Sequence, residues 1–332
     1  MLKPLSIGLI ERGMNMNKER VIGGILGVVT GDALGLPVQF LSRTEVQQNP
    51  VTEMRAGGVF DTPRGTWSDD SSLTLCLMKS LTEKGYDLSH IAKQFIRWFQ
   101  DGYCTPFDRA FDIGFTTGDA ISRLIKGVPP LQAGPMGEND NGNGSLMRIL
   151  PAAIFFAYLP DKEFIKRVCD VSKITHGHPR SQLGCSLYAI YVKELLTGQN
   201  PEVAYQTMRY KAQMLFKGLE LEKELGYYHR IIDGSLPKLS ENEIKATGYV
   251  VYTLEASIWC FMTTVKYKDA VVKAVNLGLD TDTVGAITGG LAGVYYGLSG
   301  IPEEWLSMIV KKDWILDLSY EFACVCDPRV FG

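Results

Sequence analysis

Two short stretches concentrate acid and hydroxyl groups just before a helical pattern: Gly65-Thr66-Trp67-Ser68-Asp69-Asp70-Ser71 and Gly278-Leu279-Asp280-Thr281-Asp282-Thr283. Ser, Thr and Asp cap helix N-termini, and acids there suit the helix dipole. Capping accounts for one acid in each place, but not for two acids with hydroxyls, twice. Adjacent carboxylates repel unless a cation neutralises them. Asp69, Asp70, Asp280 and Asp282 together carry about four negative charges, the complement of two divalent cations. Oxygen-only ligands (these carboxylates, the Ser68 and Thr283 hydroxyls, water) favour Mg²⁺ or Mn²⁺ over zinc. On spacing alone, a two-metal site and a pair of elaborate helix caps both stand.

Other chemistries fail on their own patterns. With Asp280 as position 1 of an EF-hand loop, position 5 is Val284 and position 12 is Leu291, so the bidentate acid is missing. There are four histidines and no His-Glu-x-x-His, which argues against zinc hydrolysis. His176 and His178, in Thr175-His176-Gly177-His178-Pro179, read as one inward and one outward side chain, a substrate contact or a structural bond rather than metal ligands. A third cluster, Asn141-Gly142-Asn143-Gly144-Ser145-Leu146-Met147-Arg148, has residues that tolerate positive φ and let N–H groups converge on an anion. A turn with a helix cap accounts for it equally well. It is not a dinucleotide fingerprint, since Met147 stands where the third glycine belongs and no strand precedes it. No Walker motif occurs.

The elements that must hold these groups are helical. Periodicity predicts helices over 18–34, 70–84, 88–101, 107–126, 144–158, 161–175, 179–197, 201–217, 250–264, 267–277, 282–297, 302–310 and 313–325, with no run of period-2 alternation. Gly85, Gly127-Val128-Pro129-Pro130, Gly198-Gln199-Asn200-Pro201 and Gly300-Ile301-Pro302 punctuate their ends. No low-complexity linker divides the chain. The expectation is one compact all-α domain over 17–332, with a less regular insertion near 225–248. Residues 1–16 read as an N-terminal extension, because Leu5–Ile10 is too short for a signal-peptide core and helical pattern begins at Asn17-Lys18.

Two predicted helices carry glycine at every fourth position: Gly23, Gly27, Gly31 and Gly35, and Gly285, Gly289, Gly293 and Gly297. Such residues share a helix face, and each costs roughly 1 kcal/mol against alanine. A stripe without Cβ permits close backbone approach. The neighbour is either any packed element or the other stripe. The uncharged run Thr283 to Ile301 contains six glycines, which suits a buried helix rather than a membrane span.

Composition narrows the partners. Of 332 residues, 34 are Lys or Arg and 37 are Asp or Glu, a net charge of -3, so no basic excess exists to track nucleic-acid backbone. At 45% hydrophobic and 21% charged, the chain is ordinary globular material. Its seven scattered cysteines contain no Cys-x-x-Cys, which fits free thiols in a reducing cytoplasm.

Taken in order, these motifs resemble the ADP-ribosylglycohydrolase family, which includes the dinitrogenase reductase-activating glycohydrolases. The matching pieces are Gly31-Asp32-Ala33-Leu34-Gly35, Ser68-Asp69-Asp70, Phe111-Asp112-Ile113-Gly114, Asn143-Gly144-Ser145-Leu146-Met147-Arg148, Thr175-His176 and Asp280-Thr281-Asp282-Thr283. The resemblance implies an all-α domain holding two Mg²⁺ (or Mn²⁺) in a central cleft and hydrolysing the bond between ADP-ribose and an acceptor, commonly arginine. It implies metal ligands at Ser68, Asp69, Asp70, Asp280, Asp282 and Thr283. Asp69 or Asp70 would be the base. It implies substrate contacts at Gly114, at Asn141 to Ser145 (Asn141, Gly142, Asn143, Gly144, Ser145) and at His176. Its usual Gly-Asp-Ala-x-Gly-x-x-x-Glu ends here in Gln39, an amide that can bind a metal or water but cannot act as a base. A non-catalytic ADP-ribose-binding protein is therefore the alternative, and a two-metal phosphohydrolase a third reading. The expected partner is an ADP-ribosylated protein or small ADP-ribose conjugate, met by a monomer without membrane or general nucleic-acid binding.

Overall fold

The glycine stripes decide where the central helices lie. In the computed structural model, which describes residues 17–326, α1 (Lys18–Gly35) and α14 (Thr281–Tyr296) lie against each other along their length. A Cβ on Gly27 would overlap the Gly289 carbonyl, one on Gly31 the Gly285 carbonyl, and one on Gly35 the Thr281 carbonyl. The stripes therefore face each other, the second of the two readings above. The pairing is antiparallel in effect: the C-terminal end of α1 meets the N-terminal end of α14, where the Thr281 hydroxyl donates to the Gly35 carbonyl at 2.8 Å. α1 with its 3₁₀ continuation is apolar enough to cross a membrane by composition, but 94% of its apolar window is buried inside the protein.

The remaining helices surround this pair: α2 (Arg43–Gln48), α3 (Asp69–Lys84), α4 (Leu88–Asp101), α5 (Phe115–Ile125), α6 (Pro130–Ala133), α7 (Leu150–Phe155), α8 (Asp161–Lys173), α9 (Pro179–Leu196), α10 (Pro201–Leu215), α11 (His229–Ile232), α12 (Val250–Met262), α13 (Tyr267–Val275), α15 (Glu303–Leu306) and α16 (Lys312–Val325). Among the described residues there are no strands, only two isolated bridges, so the domain is all-α. The insertion near 225–248 is a string of 3₁₀ turns around α11. Asn17 caps α1 through the Glu19 N–H. The extension expected at 1–16 lies outside the described residues.

Three predicted helices are shorter than their periodicity suggests. The segment 107–114 is loop, because Asp108 and Asp112 are left-handed (φ 56° each) and α5 starts only after Gly114. Residues 144–149 form a turn, and α7 begins with Pro151 in its first turn, where its missing N–H costs nothing. The stretch 302–310 keeps a single turn, since the Val310 N–H bonds instead to the Gly65 carbonyl.

Candidate active site

Each acidic cluster opens one helix, and α1 joins the two. Asp32, fully buried on α1, accepts the Ser68 N–H at 2.9 and 3.0 Å and the Ser71 N–H at 3.0 Å, and it receives the Ser71 hydroxyl at 2.5 Å. It therefore caps α3 from another helix and fixes where Asp69 and Asp70 sit. α14 is placed by the glycine contact, by Asp280 N–H on the Ala246 carbonyl (3.0 Å), and by a short ladder in which Phe40 N–H bonds Leu279 O (2.7 Å) and Leu279 N–H bonds Leu41 O (2.6 Å). Phe40 and Leu279 are both left-handed, at φ 69° and 65°. Bulky residues rarely adopt that region, and strain of this kind gathers at functional sites.

Helix capping does not account for these four acids. At α3, Ser68 is the cap, accepting the Asp70 N–H at 3.3 Å, and neither Asp69 nor Asp70 caps. At α14 no side chain caps. Asp70 Oδ1, both Asp282 oxygens and Gln39 Oε1 are buried without any hydrogen-bond partner. Buried acceptors left unpaired are costly, and cations are what such carboxylates suit. Burial first, then the neighbouring aspartates, pushes Asp69, Asp70 and Asp282 well above the usual carboxylate range. Burial raises Asp280 to about 6 against the bond from Asn143 Nδ2 (2.5 Å), and raises Asp32 to about 6. The donor set is oxygen only. Among the described residues no three His, Cys, Asp or Glu side chains form a ready cage for one ion. An ion here would also need Thr283, Gln39 or water, which is how Mg²⁺ is ordinarily held.

Those raised values set a sign for pH. An acid whose folded pKa lies above its unfolded value adds stability at low pH and loses it as pH rises through the folded value. The metal-free protein is therefore expected to lose melting temperature from about pH 4 to about pH 7 through this cluster. Mg²⁺ should raise the melting temperature more at about pH 7.5 than at about pH 5, since binding displaces protons. Equal stabilisation at both pH values would count against cation binding at these carboxylates.

A cavity of about 320 Å³ opens over the cluster. Its walls include Gln39, Asp69, Asp70, Gly114, Asn143, Gly144, His176, Asp280 and Thr283 from the sequence-based set. Ser68, Asp282, Asn141, Gly142 and Ser145 are not on its surface. Asp282 sits beneath it, with no exposure. Asn141 turns away, its amide donating to the Glu138 carbonyl and its Oδ1 accepting from Ser181. Gly142 pairs with Tyr249 in an isolated bridge, and Ser145 Oγ lies among Cys185 and Ser172. The expected five-residue cradle thus presents two residues to the cavity. His176 lines the cavity and His178 does not, but His178 is buried rather than outward, capping α9 through the Arg180 N–H.

Sequence reasoning missed Asp112 as a site residue. It lines the cavity, accepts from Gln39 Nε2 at 2.9 Å, and raises Asp69, Asp280 and Asp282. Burial raises its own pKa, with the Gln39 bond opposing. Its motif was visible, but its aim depends on the left-handed backbone at that residue. Beyond the expected Gly114, the start of α5 was also unforeseen: Gly114 provides no side-chain cap, and Phe115, Thr116 and Thr117 line the cavity with it.

The sequence model of the ADP-ribosylglycohydrolase family matches residues 14–328. The chain is 31% identical over 314 residues to the ADP-ribosylarginine hydrolase Tri1 of Serratia proteamaculans, covering 94% of this chain and 80% of that protein. It is 30% identical over 297 residues to the ADP-ribosyl-dinitrogen reductase glycohydrolase of Rhodospirillum rubrum, covering 89% of this chain and 91% of that protein. A solved ADP-ribosylglycohydrolase-related protein complex aligns with TM-score 0.78 at 30% identity, over 93% of this chain and 98% of that one.

Proposed function

Because the chain belongs to the ADP-ribosylglycohydrolase family, we propose that it hydrolyses the bond between ADP-ribose and a protein arginine, with two Mg²⁺ (or Mn²⁺) as cofactors. The observation that carries the metal part is the set of orphaned, buried oxygens on Asp70 and Asp282. Asp69, Asp70, Asp280, Asp282 and Thr283 would hold the cations, with Ser68 orienting Asp70 through a 3.3 Å contact to Oδ2. When bound, such cations would supply the charge that grips the distal ribose hydroxyls and lowers the pKa of an attacking water.

The chain's own groups do the rest. Asp69 or Asp70, ionised once the cations neutralise the cluster, accepts the water's proton. Hydroxide displaces the acceptor nitrogen at C1″ as the C1″–N bond breaks, and the aspartate returns its proton to that nitrogen. An acidic cleft repels a diphosphate, so N–H groups must offset it: those opening α5 and that of Gly144, since the Asn143 N–H is taken by the Gly248 carbonyl. The arginine acceptor is taken from the relatives, one of which is an ADP-ribosylarginine hydrolase. The seven cysteines are all free thiols, which supports the cytoplasm as its place. The test is a panel of ADP-ribosylated arginine, serine and DNA, each with Mg²⁺, Mn²⁺ and EDTA. Cleavage of the arginine conjugate alone, stopped by EDTA, is the expected result.

The binding-protein reading keeps one observation in its favour, Gln39. The structure gives this residue a specific partner, since its Nε2 donates to Asp112 Oδ2 and its Oε1 stays unpaired. Gln39→Glu would place a carboxylate against a carboxylate and make the metal-free cluster harder to hold. The expected outcome is a lower metal-free melting temperature and a change in kcat below about tenfold at saturating Mg²⁺. An inactive wild type rescued by about 10²-fold or more would instead favour the binding-protein reading.

A further inference from the structure

Arg148 is fully buried, and no ion pair reaches it among the described residues. Its Nη2 donates to the Val171 carbonyl (3.2 Å) and to Thr175 Oγ1 (2.7 Å), and its guanidinium lies 4.6 Å from the Phe95 ring centre. A guanidinium has donors only, so the Thr175 oxygen accepts from it. The same oxygen is 2.9 Å from His176 Nδ1. Thr175 therefore has its hydroxyl proton left to give, and Nδ1 is there to take it. The opposite assignment, Nδ1–H donating to Thr175, leaves a buried hydroxyl proton with no acceptor, an arrangement proteins avoid.

The other ring nitrogen faces the site. His176 lines the cavity, and its Nε2 has no hydrogen-bond partner among the described residues. It lies along the Gly142–Gly144 turn: a Cβ on Gly144 would come within 2.9 Å of His176 Cε1 and 3.3 Å of Nε2, and one on Gly142 within 3.6 Å of Nε2. Glycine at 144 keeps that edge uncovered. Burial, with the Arg148 charge, also pushes the ring's pKa down to about 3, so the imidazole is neutral.

We propose that Arg148 and Thr175 are positioning residues that lock His176 in the Nε2–H tautomer, making it a permanent hydrogen-bond donor to an acceptor-only oxygen of the ligand. In that role His176 does not carry protons during turnover. The oxygen class is that of a diphosphate, an identity that rests on the ADP-ribose reading above; the tautomer does not.

Long-range ¹H–¹⁵N spectra of the full, metal-free chain test this, with His176→Gln identifying the signal. Wild type should show an unprotonated Nδ1 and a protonated Nε2 throughout about pH 5 to pH 8, where an ordinary histidine titrates. An Arg148 variant is open to misfolding, so Thr175 carries the comparison. Thr175→Val should give mixed tautomers and bind ADP-ribose about tenfold more weakly, with Thr175→Ser restoring both. A protonated Nδ1 in wild type, a titration inside that window, or a Thr175→Val protein unchanged in spectrum and affinity overturns the inference. Failure of wild type to bind ADP-ribose would count against the functional reading, while the spectrum still decides the tautomer.

Discussion

Asp282→Asn should raise the melting temperature of the metal-free protein while lowering turnover by about 10³-fold or more. The two effects have one cause. Asp282 is fully buried, neither of its oxygens has a partner, and Asp70, Asp280 and Asp112 press on it from around the cluster. Without cations, that charge opposes folding, so an uncharged isostere relieves it. A gain of roughly 1–2 °C is expected, the shift about 1 kcal/mol gives in a chain of 332 residues. With cations, the same carboxylate would be part of what holds them, and its loss weakens the charge the reaction needs. The stabilisation by Mg²⁺ should therefore shrink in the variant. Thermal melts with and without Mg²⁺, with kcat alongside, measure both arms. A variant that melts lower without metal yet keeps the full Mg²⁺ shift would show Asp282 to be an ordinary structural acid.

Gly27→Ala should unfold or severely weaken the protein. In an ordinary helix interior this substitution helps by about 1 kcal/mol. Here the added Cβ would overlap the Gly289 carbonyl, and α1 could not keep its place on α14. Backbone cannot rotate aside as a side chain can, so a loss of about 3 kcal/mol, roughly 4–5 °C, is expected. Gly289→Ala should behave alike, since its Cβ would overlap the Gly27 carbonyl. The control is Gly118→Ala on α5, where the nearest atom would be Ile113 Cγ2 at 3.5 Å, an ordinary contact. It should be neutral or mildly stabilising. The variants should lose activity in step with stability, because the stripes set the distance between Asp70 and Asp282. Gly27→Ala melting with wild type would refute the close-packed helix pair.

These two sites were also the most legible in the sequence. Acid pairs and four-residue glycine spacing are local patterns, and they survive folding as the same pairs and stripes. What the sequence hid depends on backbone or on partners far away in the chain. Asp112 reaches the cluster because its φ is 56°, a value no spacing announces. Asp32 looked like part of a glycine motif, whereas it holds α3 through N–H groups 36 and 39 residues on. In the Asn141–Ser145 turn every residue type suited an anion, yet Asn141 and Ser145 turn into the protein to meet Ser181 and Cys185. Periodicity likewise overran the start of α5, because the helical pattern continues through Asp108 and Asp112 while their left-handed backbone does not.

The central claim is metal-dependent glycosidic cleavage, and product analysis of one reaction tests it most directly. A peptide carrying ADP-ribosyl-arginine, incubated with the full chain and Mg²⁺ and read by mass spectrometry, should yield intact ADP-ribose and unmodified arginine, and nothing once EDTA is added. Release of AMP, or ADP-ribose formed equally well in EDTA, would contradict the account.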